Sequence, residues 1–237
     1  MPDFKQRSTQ EEMMDDFSLP HEIIDPIMDE LEVVNKILGG YAVFFDAFQK
    51  IGLQDGMIIS DWGCGGGDSL RVIAKWARKR NLKIKLIGVD ATASAIEYAK
   101  QKSVDFPEIS YILADVMSDQ LLPNQFDIVI SSLFTHHFVD IDWIHLIQKM
   151  SSCASQYVII NDLHRHWFAY HSIGILTSLF SKSDMVKHDS KVSVLRSFKR
   201  VELENLLQQG KIKQFTIQWM WAFRWQVCIN CDKKLAS

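Results

Sequence analysis

The sequence predicts an α/β fold built on a mostly parallel sheet, and three observations carry that reading. Short apolar runs alternate with amphipathic helical segments from Met57 to Ile160, the pattern of strands joined by helical crossovers. The first of these runs, Met57 to Trp62, empties into a glycine-rich turn at Gly63 to Gly67 and then a helical pattern. The chain has 237 residues, 47% of them apolar, enough to bury the core of one such domain with additions.

The elements follow in order. Glu12 to Phe17 suits a short helix. Pro20 and Pro26 punctuate the next stretch, so a helix is expected over Pro26 to Leu38, where Ile27, Leu31, Val34 and Leu38 fall near helical spacing and Gly39-Gly40 stops it. A second helix runs from Tyr41 to Ile51. Strands are expected at Met57–Trp62, Ile84–Asp90, Ile109–Ala114, Phe126–Ser131 and Tyr157–Ile160, with helices at Ser69–Arg80, Ala93–Ser103 and Ile141–Ser152 between them. A helical insert follows the fifth strand at about 161–200: a helix over Leu163–Phe180, a turn at Ser181 to Asp184, and solvated loop charges at Lys187, His188, Asp189 and Arg196. A helix at Val201–Gln209 ends at Gly210. Two strand-like runs over Gln214–Cys231, marked by Trp219, Trp221, Phe223 and Trp225, predict an antiparallel hairpin at the sheet edge. The division expected is a helical lid over 1–56 and a core over 57–237.

The turn Asp61-Trp62-Gly63-Cys64-Gly65-Gly66-Gly67-Asp68 lies where an open parallel sheet binds its ligands, beyond the carboxyl ends of its strands. Glycine there admits left-handed backbone and close approach of a ligand, and the helix that follows offers free N–H groups. A dinucleotide fingerprint would need a small residue where Asp68 stands, and the phosphate loop with its lysine is absent. Strand two ends in Asp90, twenty-seven positions after Gly63, where a carboxylate can accept bonds from ribose hydroxyls or cap the next helix. Strand three ends in Ala114-Asp115-Val116, where a carboxylate and an apolar neighbour could hold an adenine, or serve as a cap. Strand four ends in Ser131-Ser132-Leu133-Phe134-Thr135-His136-His137-Phe138.

The spacing Asp-x-Gly-x-Gly-x-Gly, followed in order by Asp90, Asp115 and His136-His137, resembles the class I S-adenosylmethionine-dependent methyltransferases over about Met57 to Asn161. The resemblance implies a Rossmann-like seven-stranded sheet with the C-terminal hairpin, and S-adenosyl-L-methionine as cofactor with S-adenosyl-L-homocysteine as product. The cofactor-binding residues it implies are Asp61, Gly63, Cys64, Gly65, Gly67, Asp90, Ala91, Asp115, Val116, Ser131, His136 and Tyr41. The block with Gly39-Gly40-Tyr41 and the segment Asp162-Leu163-His164-Arg165-His166 also resemble bacterial methyltransferases associated with polyketide pathways, hence with secondary metabolism.

Composition narrows the partners. The net charge is −3 and the pI about 6.2, unlike a nucleic-acid binder. No secretory signal or membrane span is read, and the four cysteines form no disulfide framework, so a cytoplasmic setting is expected. Cys228 and Cys231 read as ordinary thiols. A small-molecule acceptor is expected, and a homodimer is compatible with it. The Asn/Asp-Pro-Pro signature of nucleobase amino-methyltransferases is missing after strand four. Cation-dependent catechol enzymes use an acidic cluster of which only Asp162 has a counterpart, so no metal is expected.

A sulfonium methyl is already electrophilic, so the enzyme must hold a nucleophile in line and exclude water. For a phenolic acceptor a histidine base suits. His164 is the first candidate and His137 the second, with His136 and His166 behind them. Trp167, Phe168, Tyr170, Trp219 and Trp221 are candidates for an apolar acceptor wall, or for core. The reading is methyl transfer to a small apolar or aromatic metabolite, foremost O-methylation of a phenolic or polyketide-type hydroxyl. Alternatives are C-methylation of a quinone-like or polyketide ring, a catalytically silent cofactor-binding protein, and a nicotinamide oxidoreductase.

Overall fold

The structure, a computed structural model, describes residues 2–16 and 19–231. Its elements are α1 (His21–Ile37), α2 (Ala42–Ile51), β1 (Ile58–Trp62), α3 (Asp68–Arg78), β2 (Lys85–Asp90), α4 (Ala93–Lys102), β3 (Ile109–Leu113), β4 (Phe126–Ser132), α5 (Asp140–Cys153), β5 (Ala154–Leu163), α6 (Trp167–Phe180), α7 (Asp184–Arg196), α8 (Arg200–Gln209), β6 (Phe215–Met220) and β7 (Arg224–Asn230). Short 3₁₀ turns stand at Met13–Asp15 and Thr135–His137. Phe17, the end of the first expected helix, lies outside the described residues.

The seven strands order as β3-β2-β1-β4-β5-β7-β6. The first five run parallel, and β7 pairs antiparallel with both β5 and β6. This is the mixed sheet with a terminal hairpin that the sequence predicts. From β1 the chain winds outward to β3, then returns to lay β4 on the other side of β1. The loops after β1 and β4 therefore leave the sheet in opposite directions and open a crevice between them.

The sheet is buried on both faces, which is why its central strands read as continuous apolar runs. Phe44 and Phe48 of α2 with Leu70, Ile73 and Ala77 of α3 fill one face against Ile59, Leu86 and Ile128. Trp143, Leu146, Ile147 and Met150 of α5 with Leu203 and Leu207 of α8 fill the other against Val129, Val158 and Val227.

Three corrections to the sequence reading concern the additions to the core. The first helix begins at His21, not Pro26; Pro20 caps it and Pro26 is carried inside it, where the ring removes one backbone bond without breaking the helix. Strand five runs on to Leu163, and its pairing with β7 from Tyr157–Asn230 to Leu163–Arg224 takes the residues expected to begin the next helix. The stretch after Ser183 is α7 rather than a loop. Its Asp189 and Arg196 are buried: Asp189 accepts the backbone N–H groups of Met13 and Met14 at 2.9 and 3.0 Å, and Arg196 pairs with Asp15 at 2.7 Å. These charges fasten the N-terminal segment. Arg7 adds to the fastening, donating to the carbonyls of Phe138, His136 and Arg196 and pairing with Asp140. Arg165 is a buried staple as well, bonded to the Ser197 carbonyl and Glu202.

Trp143 is wholly buried between α5 and the sheet. Trp143→Ala is expected to destabilise the fold by about 3–5 kcal/mol through lost burial and the cavity left behind. Urea unfolding checks this by a lowered midpoint at unchanged slope.

Candidate active site

A cavity of about 1050 Å³ occupies the crevice. Its floor is the turn after β1 and the tips of β2 and β3; its far wall is the loop after β4 with α6 and α7; α1 and the N-terminal segment close over it. The volume reaches the upper end of the range for single-ligand pockets, which leaves room for two molecules side by side.

Of the sequence-predicted residues, Asp61, Gly63, Cys64, Gly65, Asp90, Ala91, Asp115, Val116, His136 and His137 line this one space. Gly63 adopts φ +69, and a Cβ there would lie 2.2 Å from the Phe134 ring, so the turn and the β4 loop touch only because glycine stands there. Asp90 accepts the N–H of Gly65 and of Thr92, both at 2.9 Å. It therefore shapes the turn and begins the next helix while one edge faces the cavity. Val116 is buried and Asp115 exposed at the rim.

The remaining predicted residues stand behind the wall or elsewhere. Gly67 starts α3 at φ +71. Ser131 donates its hydroxyl to the Trp62 carbonyl at 2.9 Å, tying β4 to β1, and its neighbour Ser132 takes the lining position. Tyr41 donates to Asp68 Oδ2 at 2.6 Å. His164 is not among the lining residues: its N–H bonds the Phe223 carbonyl, and its ring packs on His166, Phe223 and Trp225. Burial, with His166 and Lys199 beside it, lowers its pKa to about 4. Its proximity to β5 in sequence does not carry it to the cavity, because β5 continues past the sheet tip. Of the aromatic candidates, Phe168 and Trp221 line the cavity, whereas Trp167, Tyr170 and Trp219 do not.

The structure adds residues that the sequence reading passes over. Asp68, at the first position of α3, accepts from Tyr41 and from Asn35 Nδ2 at 3.2 Å. Asp61, Asp68 and Asp90 thus gather three carboxyl groups around one turn. Asp61 is fully buried, and burial together with Asp68 and Asp90 drives its pKa well above the ordinary range; its Oδ1 has no hydrogen-bond partner. Such a site favours a positive group beside it and opposes a pyrophosphate. Opposite stands Arg224, 1% exposed, donating to Asn35 Oδ1 at 3.0 Å and Asn161 Oδ1 at 3.4 Å. Its Nε has no partner, and burial lowers its pKa to about 10.

Beyond the turn, Met13, Met14, Phe168, Ile173, Leu176 and Val186 give the cavity apolar walls, among which stand polar residues including Ser193, Asp189 and Arg196 and the cluster Glu12, His136 and His137. Behind His136, the buried Asp162 at the end of β5 accepts Thr135 Oγ1 at 2.7 Å, the N–H of His136 at 3.1 Å and the N–H of Leu163 at 2.8 Å, and contacts His136 Nδ1 at 2.6 Å. Burial weakens the charged form of His136, but the charges and contacts of Asp162 and Glu12 outweigh it and raise the pKa to about 9. His136 in turn holds Asp162 down to about 2 against burial.

Residues 59–156 match the family model described as a methyltransferase domain. The fold is similar to a SAM-dependent methyltransferase from Aquifex aeolicus, 15% identical over 78% of this chain and 88% of that one, with a TM-score of 0.59. It is similar to magnesium protoporphyrin IX methyltransferase from Synechocystis with bound SAM, 15% identical over 82% and 80%, with a TM-score of 0.54. The CMeT domain of the citrinin polyketide synthase is 10% identical over 81% of this chain and 51% of that one, with a TM-score of 0.61. At these identities the likeness speaks for the fold. No curated protein matches the sequence. The matched stretch includes the glycine turn and the first four strands of the sheet, and two of the structures similar in fold hold SAM or SAH.

Proposed function

We propose that this protein methylates a small apolar or aromatic molecule, foremost on a phenolic hydroxyl. The observation that carries the proposal is one continuous cavity that joins a carboxyl-rich glycine turn to a chamber with apolar walls and the cluster Glu12, His136 and His137. The two halves suit two different ligands.

The turn fits S-adenosylmethionine on its own chemistry. Asp90 keeps acceptor capacity for ribose hydroxyls after receiving two backbone N–H groups. Val116 offers an apolar face for adenine, and Asp115 an acceptor at the rim. Buried Asp61, with an unpartnered oxygen, suits the cationic amino end, and Arg224, with its open Nε, suits the carboxylate end. Bound there, the cofactor supplies an electrophilic methyl on sulfur.

The protein's contribution is placement and dryness. Met13, Met14, Phe168 and Leu176 exclude water from the acceptor chamber and select a flat or greasy molecule. The reacting hydroxyl seats against Glu12, His136 and His137, because Glu12 Oε1 and His136 Nε2 have no hydrogen-bond partner of their own, whereas Asp189 and Arg196 are engaged by the N-terminal segment. His137 thus keeps a place in the catalytic proposal, joined by His136, while His164 becomes a packing residue. The N-terminal segment, which brings Glu12, Met13 and Met14, acts as the lid and is held shut through Asp189, Arg196 and Arg7.

The direct test incubates the protein with S-adenosylmethionine and a panel of apolar phenols, reading methylated product by mass spectrometry and its connectivity by NMR. An aryl methyl ether supports the proposal; ring methylation moves the acceptor atom to carbon; cofactor binding without turnover on the panel favours a silent binding protein. Arg224→Met is expected to weaken S-adenosylhomocysteine about tenfold or more, as loss of a buried charge-assisted contact does, while leaving 5′-methylthioadenosine, which lacks the carboxylate, within about twofold. Calorimetry with both ligands checks it, and equal losses for the two would contradict the assignment.

A further inference from the structure

We propose that Glu12, His136 and His137 form a binding site for a divalent first-row cation such as zinc, in the acceptor chamber. Their ligand atoms lie within 4.8 Å of one another, although Glu12 stands 124 positions before the adjacent pair His136-His137. Glu12 Oε1 is 3.4 Å from His136 Nε2, and Glu12 Oε2 is 4.0 Å from His137 Nε2. Two ligands on a tetrahedral zinc ion, each about 2.0–2.1 Å from it, stand about 3.4 Å apart, so the first separation is already that of a coordination edge.

Three features distinguish this cluster from an ordinary ion-pair network. Each histidine has its Nδ1 against its own carboxylate: His136 against Asp162 at 2.6 Å and His137 against Asp15 at 2.7 Å. A carboxylate hydrogen-bonded behind the far nitrogen is the arrangement that orients an imidazole toward a metal and raises its basicity; His136 has it, while at His137 the Asp15 carboxylate is near but not in hydrogen-bonding geometry. Secondly, both Nε2 atoms lie within 4.0 Å of the same carboxylate, with the rings stacked 4.5 Å apart at 28°. Thirdly, Glu12 and His136 are 8% and 2% exposed, and neither Glu12 Oε1 nor His136 Nε2 makes a hydrogen bond of acceptable geometry. Buried polar atoms left so are costly, and a cation between them removes the cost.

Two imidazoles and one carboxylate leave a fourth position open, and all three residues line the cavity. The class of ligand set suits zinc, iron, cobalt or nickel better than magnesium. Resting on the methyl-transfer reading, the open position is where the acceptor's oxygen would complete the coordination. The sequence expectation of no metal weighed the acidic cluster of the catechol enzymes; this set is different and includes a residue from the N-terminal segment.

The test uses the full chain, stripped with a chelator and dialysed. Zinc titrated by calorimetry, and cobalt read by its visible d–d absorption, are followed in wild type, Glu12→Gln and His137→Gln, with circular dichroism to confirm that each variant folds. Binding of one equivalent per chain that falls about tenfold or more in both folded variants supports the site. No binding by wild type, or binding indifferent to both substitutions, overturns it. S-adenosylhomocysteine is titrated in parallel: its failure to bind sinks the methyl-transfer reading while variant-sensitive zinc binding would leave the cation site standing.

Discussion

Much of this molecule depends on one buried carboxylate. Asp162 stands at the tip of β5 and gathers a hydroxyl, two backbone N–H groups and an imidazole nitrogen. All but the N–H of Leu163 belong to the loop after β4, so a single group at one strand tip sets the course of the neighbouring strand's loop. A carboxylate in that position would be costly if unpaired. Its bonds and the His136 ring offset the cost, and the result is a rigid histidine facing the crevice. The other side of the crevice is set in the same way, since Asp90 at the tip of β2 receives the N–H of Gly65 and fixes the turn after β1. Two strand-tip carboxylates thus fix the two walls of one cavity.

The walls differ in electrostatic character, and that difference gives the site its polarity. Around the turn, Asp61, Asp68 and Asp90 make a place where a positive group relieves repulsion. Arg224, the buried first residue of β7, places a cation close to Asn35 and Asn161. A ligand with both charges at one end satisfies both. Across the apolar interior, Glu12, His136 and His137 form a separate polar focus. The N-terminal segment contributes to this second focus because α7 presents Asp189 and Arg196 to it and Arg7 ties it to the loop after β4, so the insert after β5 works as a clamp for the segment as well as a wall.

The fold was legible in the sequence wherever the signal is local. Alternating apolar runs and helical stripes place all five parallel strands and their helices, because each element's period is written in its own residues. The glycine turn, Asp90, Asp115 and the His136-His137 pair were legible for the same reason: they sit at strand ends, and strand ends are readable. What was missed is non-local. Glu12, Asn35 and Arg224 join the site from α1, the N-terminal segment and the terminal hairpin, and nothing in their neighbourhoods marks them. Helix α7 was missed because Asp184, Lys187, His188, Asp189, Lys191 and Arg196 interrupt its apolar residues, so no clean stripe appears; its charges are buried against another segment rather than solvated. His164 misled because three further residues of β5, Asn161, Asp162 and Leu163, pair with β7 and carry it past the expected strand end.

The central claim is that the glycine turn and the Glu12–His136–His137 end face each other across a single chamber, so that a methyl group held at one meets an acceptor held at the other. A crystal structure of the full chain with S-adenosylhomocysteine tests this most directly. The account predicts adenine beside Val116, ribose on Asp90, and the sulfur directed along the chamber toward His136 and His137. A ligand seated elsewhere, or a sulfur facing away from those histidines, would contradict it.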